Sequence, residues 1–305
     1  MSLIMIFMVI LVMLSPIVCL STSSWLIYWV GMELGLMSLF PIMFNANSLL
    51  VSEASMKYFL VQAMASILMF FGGCFIFMLM YKNSYSFMLM SLSVVIKLGM
   101  FPFHYWVIPV IGGIWYPPMI LILIPVKIPS FVLISYISAG KLQMMLFMFS
   151  IMSMLVGALL GNNCSNIRMM MGASSISHSG WVVMSSLIGE MWFYYTVYSI
   201  ILFFTLLLIW FKSNLLSSLM ILSLSGLPPF LLFSAKFYIM MMMIQNNYLL
   251  FTLLIPVLSA LISLNFYLKS GYSFYFNSKK TTKSYYFLSV VTLNLVGSFL
   301  LFYLV

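Results

Sequence analysis

The sequence predicts an all-α integral membrane protein, and its composition and the length of its apolar runs lead to that fold class. Of the 305 residues, 65% are hydrophobic and 5% are charged, and the mean hydropathy is +1.21. Soluble domains are about 45–50% apolar and about 25% charged, so this chain has too few polar residues to face water. Its apolar runs are long and continuous, which favours helices over the alternating strands of a membrane barrel.

A membrane span needs about 20 apolar residues, and polar, glycine and proline positions divide the chain into about eleven such segments. They are predicted at residues 3–20, 25–44, 54–80, 85–107, 116–138, 142–161, 169–189, 192–211, 215–244, 248–270 and 285–304. The connecting segments are short. The sequence therefore predicts one membrane domain over residues 1–305, without a separate catalytic domain outside the membrane.

Two of the predicted spans are interrupted in the same way. The fourth, SLSVVIKLGMFPFHYW, contains Gly99 and Pro102, and the ninth, SLSGLPPFLLFSAKFYIM, contains Gly226 and two prolines. Each is the fourth span in its own set of five. Because five crossings reverse the direction of the chain, two such sets form inverted repeats, and interrupted spans at matching positions are typical of a transport site near the midplane. The predicted boundaries are 3–139 for the first repeat, 142–272 for the second and 285–304 for a final helix.

Four ionisable residues lie deep within the predicted spans. Helix rise places Lys97, Lys127 and Glu33 roughly 18, 16 and 12 Å into their spans, and Lys236 follows the interruption of the ninth span. A charge at the bilayer centre costs on the order of 2.5–3.5 kcal/mol, which indicates a function for these residues. Desolvation disfavours a charged amine, so a buried lysine can load and release a proton when a neighbouring charge moves. The pattern predicts a proton relay.

Glu33 and Lys97 are predicted to attract one another as an ion pair, since opposite charges interact strongly at low dielectric. An alternative is that this pair only locks two helices together. The remaining acids, Glu53 and Glu190, lie near the ends of spans. The other two buried lysines therefore have no predicted acidic partner, which favours the relay.

The two histidines are weaker candidates for the same path. His104 follows Pro102, and His178 lies in the serine-rich segment GASSISHSGW, a setting that suits a hydrated proton path. The alternative is a pair of core histidines with satisfied hydrogen bonds. Two histidines are too few for the haems of a membrane cytochrome. The sequence has neither a phosphate-binding glycine loop nor a Cys/His metal set, so no metal or cofactor site is predicted. The basic residues are scattered and do not predict nucleic-acid binding.

Basic residues favour the side of the membrane from which a protein is inserted. Predicted loops on the N-terminal side hold or adjoin Lys57, Arg168, Lys212, Lys269, Lys279, Lys280 and Lys283. The opposite side has Lys82, Lys141 and the acid Glu190. The N-terminus is therefore predicted to face the cytoplasm, or the matrix if the membrane is mitochondrial.

Five segments, in order, carry a resemblance to a known family. YWVGMELGLMSLFPIM, SEASMKYFLVQAMAS, KLGMFPFHYWV, RMMMGASSISHSGW and SLSGLPPF resemble subunit 2 of animal mitochondrial NADH:ubiquinone oxidoreductase, respiratory complex I. That family belongs to the antiporter-like subunits, which are related to sodium/proton antiporter components. The resemblance extends over nearly all of the chain and implies a proton-translocating core membrane subunit with two inverted five-helix repeats, driven by redox chemistry performed elsewhere in the complex.

The resemblance also implies roles for the candidate residues. They are Glu33 and Lys97 as the pair of the first half-channel, Lys127 as the connecting lysine, Lys236 as the terminal lysine of the second half-channel, and His104 and His178 as bridging groups. Leu232 and Ala235 depart from the family by replacing the glycine and proline that commonly precede the last lysine.

The resemblance implies, further, that this chain holds no redox centre: FMN, iron-sulfur clusters and ubiquinone are expected on other subunits. Expected partners are core membrane-arm subunits on both flanks, accessory subunits and lipids such as cardiolipin. The expected location is the mitochondrial inner membrane, with the N-terminus on the matrix side. Two other functions stay open at this stage. A structural spacer of the membrane arm would use its charges as helix locks, and a stand-alone cation/proton antiporter would be expected to have more than the three acids present here.

Overall fold

The computed structural model describes residues 3–44, 48–78, 84–138, 143–246 and 250–276, together with positions 291, 292, 294 and 297. Every regular element in these ranges is helical, which confirms the predicted all-α class. The α-helices are α1 Leu3–Ser21, α2 Trp25–Phe44, α3 Leu49–Gly73, α4 Ser84–Leu98, α5 Val107–Gly113, α6 Tyr116–Leu123, α7 Lys127–Ser138, α8 Gln143–Asn163, α9 Ile167–Ile188, α10 Met191–Trp210, α11 Asn214–Ser225, α12 Leu231–Gln245 and α13 Leu250–Phe276. Except for the four isolated positions, the predicted final helix at 285–304 lies outside the described residues, as do Lys82, Lys141, Lys279, Lys280 and Lys283.

Within the described ranges, 7 helical segments are long and apolar enough to cross a membrane. They are Leu3–Ser21, Trp25–Phe44, Leu49–Ile76, Tyr116–Ile137, Gln143–Asn163, Met191–Trp210 and Thr252–Phe276. Shorter apolar helices accompany them at Tyr85–Leu98, Asn214–Ser225 and Leu231–Gln245. The protein is thus a membrane protein with several apolar helices, and the count of eleven spans stays a prediction.

Helix α9 is less apolar than these spans, yet it is the most deeply enclosed. Every residue from Met170 to Ser186 is buried. Its serine hydroxyls are satisfied within the helix, because each donates to the carbonyl three residues earlier, as Ser174 does to Met171 and Ser175 to Gly172, both at 2.8 Å. Internal pairing of this kind lets a serine-rich helix occupy an apolar core.

The chain divides into two compact units, residues 1–153 and 154–305, with the boundary inside α8. The inverted repeats at 3–139 and 142–272 stay a prediction. In the first unit, α1 and α2 pack closely because Gly31 and Gly35 lie on their shared face. A Cβ atom added at Gly31 would lie 2.7 Å from Sγ of Cys19, and one at Gly35 would lie 2.8 Å from Oγ of Ser15. Small residues at a helix interface allow this close approach in membranes.

The predicted interruption after Lys97 is confirmed. Helix α4 ends at Leu98, and Gly99 follows in the left-handed region with φ +67°. A Cβ atom there would lie 2.1 Å from Cγ2 of Val107, so glycine is required both by the backbone conformation and by the space. A short 3₁₀ turn, His104–Trp106, then leads into α5.

A second interruption in the first unit, between α6 and α7, was not predicted. Residues 124–126 form a turn just before Lys127. Pro125 has no amide hydrogen, so the carbonyl of Leu121 accepts instead from Val126 at 3.3 Å. The predicted span 116–138 is therefore two helices.

The second unit contains the other predicted interruption. Helix α11 ends at Ser225, Gly226 adopts φ +76°, and α12 begins at Leu231. The left-handed glycine terminates α11 in the manner common at helix C-termini. Like the two interruptions of the first unit, this one lies beside a buried lysine.

Candidate functional site

Lys97 and Lys127 line one small cavity in the first unit. The cavity has a volume of about 30 Å³, which is room for about two water molecules at about 10–15 Å³ each. It is lined by Ser15, Met32, Gly35, Leu36, Tyr58, Gln62, Lys97, Trp106, Ile122, Val126, Lys127, Pro129 and Ser130. The two lysines predicted from separate spans therefore share one space that water can enter.

Interrupted helices bring these two side chains together. Lys97 lies in the last turn of α4, and Lys127 is the first residue of α7. Both side chains are buried, with exposed fractions of 8% and 5%. Gln62 on α3 donates from Nε2 to the carbonyl oxygen of Lys97 at 3.2 Å, which fixes α3 against the end of α4.

The start of α7 is held by α2. The hydroxyl of Tyr28 donates to the carbonyl oxygen of Pro129. The thiol of Cys19 on α1 lies 3.5 Å from the carbonyl oxygen of Tyr28. Helix α2, itself in contact with α1, thus holds the start of α7, where Lys127 lies.

Glu33 lies on α2 near the same cavity and is only partly buried. It interacts electrostatically with Lys97. Its Oε1 atom is buried and has no hydrogen-bond partner among the described residues, so Lys97 does not donate to that oxygen. The predicted electrostatic attraction between Glu33 and Lys97 therefore does not include a hydrogen bond to Oε1.

His104 occupies the 3₁₀ turn after the interruption of α4. It is buried and stacks on Tyr105, with ring centroids 4.3 Å apart. Nδ1 has no hydrogen-bond partner among the residues that the structure describes. The role of His104 in the proton path and the alternative of a core histidine both stay predictions.

Lys236 lies on α12 in the second unit and reaches back to the end of α11. Its Nζ donates to the carbonyl oxygen of Ser225 at 3.2 Å. The amine also lies 5.8 Å from the ring centroid of Trp181, within cation–π range. An ammonium at the carbonyl end of a helix is electrostatically favourable.

His178 lies one turn before Trp181 on α9, so both side chains occupy the same face. Its Nδ1 lies 2.9 Å from the hydroxyl of Tyr194, and its Nε2 lies 3.1 Å from the hydroxyl of Tyr267. Tyr194 also stacks on Trp181, with centroids 6.2 Å apart. Trp181 and Tyr194 thus connect Lys236 with His178 within the second unit.

Five of the six predicted residues therefore form two groups, and His104, in the first unit, does not line the cavity. Lys97, Lys127 and Glu33 belong to the first unit and lie in or near its cavity. Lys236 and His178 belong to the second unit and are linked by aromatic side chains. The sequence did not single out the residues that complete the two groups, namely Tyr28, Tyr58, Gln62, Trp181, Tyr194 and Tyr267. The four-residue spacing of Tyr58 and Gln62 was the available signal, since it places both on one face of α3.

The chain is similar to a known family and to known proteins. A family model described as NADH:quinone oxidoreductase/Mrp antiporter, transmembrane, matches residues 22–217. The chain is 33% identical over 296 residues to NADH-ubiquinone oxidoreductase chain 2 of Albinaria caerulea, covering 96% of each chain. It is 36% identical over 295 residues to the chain 2 protein of Anopheles gambiae, covering 87% of this chain and 84% of the relative.

Two solved structures are similar in fold. A chain of respiratory complex I from Thermus thermophilus, with bound aureothin, has a TM-score of 0.82 at 20% identity, covering 99% of this chain and 78% of that chain. A chain of the Mrp complex from a Dietzia species has a TM-score of 0.79 at 16% identity, covering 86% and 59%. The family match and the relatives confirm the resemblance found in the sequence. The chain belongs to the NADH:quinone oxidoreductase/Mrp antiporter family of transmembrane proteins and, within it, to the chain 2 proteins of NADH-ubiquinone oxidoreductase.

Proposed function

We propose that this chain is a proton-translocating membrane subunit of respiratory complex I, in which electron transfer from NADH to ubiquinone takes place on other subunits. Membership of the NADH-ubiquinone oxidoreductase chain 2 family supports both the assignment to complex I and the coupling of proton translocation to electron transfer. One structural observation carries the assignment of the relay. Lys97 and Lys127 line a common cavity large enough for water, at two helix interruptions in a membrane protein.

In the proposed relay, a change of charge at Glu33 alters the proton affinity of Lys97 through their electrostatic interaction. The shared cavity passes this change to Lys127, since both lysines line the same small space at low dielectric. His104, His178 and Lys236 carry protons further along the chain. No flavin, iron-sulfur cluster or quinone site belongs to this subunit in the proposal.

The proposed setting is the mitochondrial inner membrane, with the N-terminus in the matrix. Other core membrane-arm subunits lie on both flanks in the proposal, together with accessory subunits and lipids such as cardiolipin. Large apolar side chains at the protein surface support this setting, because they need lipid or protein to cover them. Examples are Leu49, Leu50 and Met64, with exposed fractions of 89%, 71% and 63%.

The test is replacement of Lys97 or Lys127 by Met in the assembled complex. Methionine keeps a long flexible chain and removes the titrating amine, so the number of protons moved per electron is expected to fall. Lys57→Met is the matched control, because Lys57 is 48% exposed and pairs with Glu53 one turn away on α3. Proton-to-electron ratios that match the control in both variants would contradict the relay.

A structural role is the second candidate, and one observation favours it for Lys236. The hydrogen bond from its amine to Ser225 joins α12 to α11, as a helix lock would. If the buried lysines act only as locks, replacing them prevents assembly, and any complex that does assemble pumps with the normal ratio. The amount of assembled complex and its proton-to-electron ratio, measured together, separate the two functions.

A further inference from the structure

Tyr58 lines the cavity and has a hydroxyl that the relay described so far does not use. Tyr58 lies on α3, is 1% exposed and lines the cavity with Lys97 and Lys127. Its ring packs on Trp106, with centroids 5.9 Å apart. Its hydroxyl oxygen is buried and has no hydrogen-bond partner among the described residues. Buried hydroxyls in proteins are satisfied by ordered water where the space admits it, and this cavity does.

Glu33, on α2 near the cavity, resembles Tyr58 in having an unsatisfied polar atom. Its Oε1 is likewise buried and without a hydrogen-bond partner in the part of the chain that the structure describes. Glu33 interacts electrostatically both with Tyr58 and with Lys97. Tyr58 and Lys97 thus line one cavity, and both interact electrostatically with Glu33. Two of these three residues have a buried polar atom without a hydrogen-bond partner among the described residues.

The backbone fixes Tyr58 in this position. Gln62 lies four residues further along the same face of α3 and binds the carbonyl oxygen of Lys97. This hydrogen bond holds the Tyr58 face of α3 against the end of α4. The position of Tyr58 beside the cavity is therefore set by the same contact that positions Lys97.

We propose that the Tyr58 hydroxyl carries protons between Glu33 and Lys97 through water in the cavity. In each transfer the hydroxyl donates its hydrogen on one side and accepts another proton on the other side, so the tyrosine stays neutral. The protonated carboxyl group of Glu33 becomes a carboxylate, and the neutral amine of Lys97 becomes an ammonium. This inference rests on the proposed function, because it assigns a further residue to the same relay.

The test is Tyr58→Phe in the assembled complex, which removes the hydroxyl and keeps the ring against Trp106. Loss of one hydrogen-bonded link is expected to lower the pumping-coupled turnover by roughly three- to ten-fold and to lower the proton-to-electron ratio. Tyr195→Phe is the matched control. It removes a tyrosine hydroxyl from a residue that is 3% exposed on α10 and does not line the cavity.

Lys97→Met measured in parallel separates this inference from the proposed function. If Lys97→Met lowers the ratio and Tyr58→Phe behaves like Tyr195→Phe, the tyrosine link is wrong and the relay stands. If neither variant lowers the ratio, the relay itself fails. A structure of the wild-type complex that resolves waters tests the inference even if the variants do not assemble. It is expected to show water within hydrogen-bond distance of the Tyr58 hydroxyl, and a dry cavity would overturn the inference.

Discussion

At the scale of single residues, the buried lysines were predictable because placing a charge inside a membrane costs much free energy. Lys97, Lys127 and Lys236 interrupt apolar runs, and each is buried in the structure, with exposed fractions of 8%, 5% and 3%. Their neighbours were not predictable from composition. Trp181 and Tyr58 resemble ordinary packing residues in the sequence, since only tertiary contacts show which aromatic side chains meet a charge.

The glycine that ends α11 determines where the amine of Lys236 lies. A Cβ atom at Gly226 would lie 3.1 Å from Nζ and 3.2 Å from Cδ of Lys236. The carbonyl that accepts from this amine belongs to the preceding residue, Ser225. The backbone turn and the lysine position are therefore specified together.

Gly226→Ala is expected to lower pumping by displacing this amine. Alanine at φ +76° costs about 1–2 kcal/mol in backbone strain, and its methyl group crowds Lys236. The control is Gly189→Ala at φ +96°, where an added Cβ meets nothing within 4 Å. Both variants are expected to lower thermal stability, whereas only Gly226→Ala lowers the proton-to-electron ratio. An equal ratio in the two variants would show that the position of the Lys236 amine does not matter for pumping.

At the scale of helices, the interruptions at Gly99 and Gly226 were predicted because glycine and proline are clustered there. The interruption at residues 124–126 was missed, although Pro125 and Pro129 stand four residues apart around Lys127. An isolated proline is tolerated within a membrane helix, as Pro16 is in α1 and Pro256 in α13. Proline alone therefore does not distinguish a continuous helix from a broken one.

Pro125→Ala is expected to close the break between α6 and α7. Alanine supplies the amide hydrogen that the carbonyl of Leu121 lacks at the regular helical position, so a continuous helix becomes possible. Helical continuation would rotate Lys127 away from the cavity that it shares with Lys97. We expect slower amide hydrogen exchange across residues 121–127 and a lower proton-to-electron ratio.

Pro117→Ala serves as the control for this prediction. Pro117 lies in the first turn of α6, where no intrahelical amide bond is needed. Its replacement is expected to change neither the exchange rates across 121–127 nor pumping. If Pro125→Ala behaves like Pro117→Ala in both measurements, the break is not maintained by the missing amide of Pro125.

At the scale of the whole molecule, the apolar pattern was sufficient for the fold class and for the positions of most helices. Predicted spans 3–20, 25–44 and 192–211 match α1, α2 and α10 within a residue at either end. The two compact units could not be located from sequence, because their boundary lies within the continuous helix α8. Helix α9 also shows the limit of hydropathy, since its buried serines are satisfied internally and are not lipid-facing.

The predicted orientation of the protein in the membrane rests on the excess of basic residues on the N-terminal side. Ser24 and Ser48 are exposed and lie beyond opposite ends of α2, a helix long and apolar enough to cross the membrane. With the N-terminus in the matrix, Ser24→Cys is expected to react with a membrane-impermeant maleimide in mitoplasts. Ser48→Cys is expected to react only in inverted vesicles. The opposite labelling pattern would place the N-terminus in the intermembrane space and reverse the entry and exit sides of the relay. Labelling of both positions from one side would show that α2 does not cross the membrane.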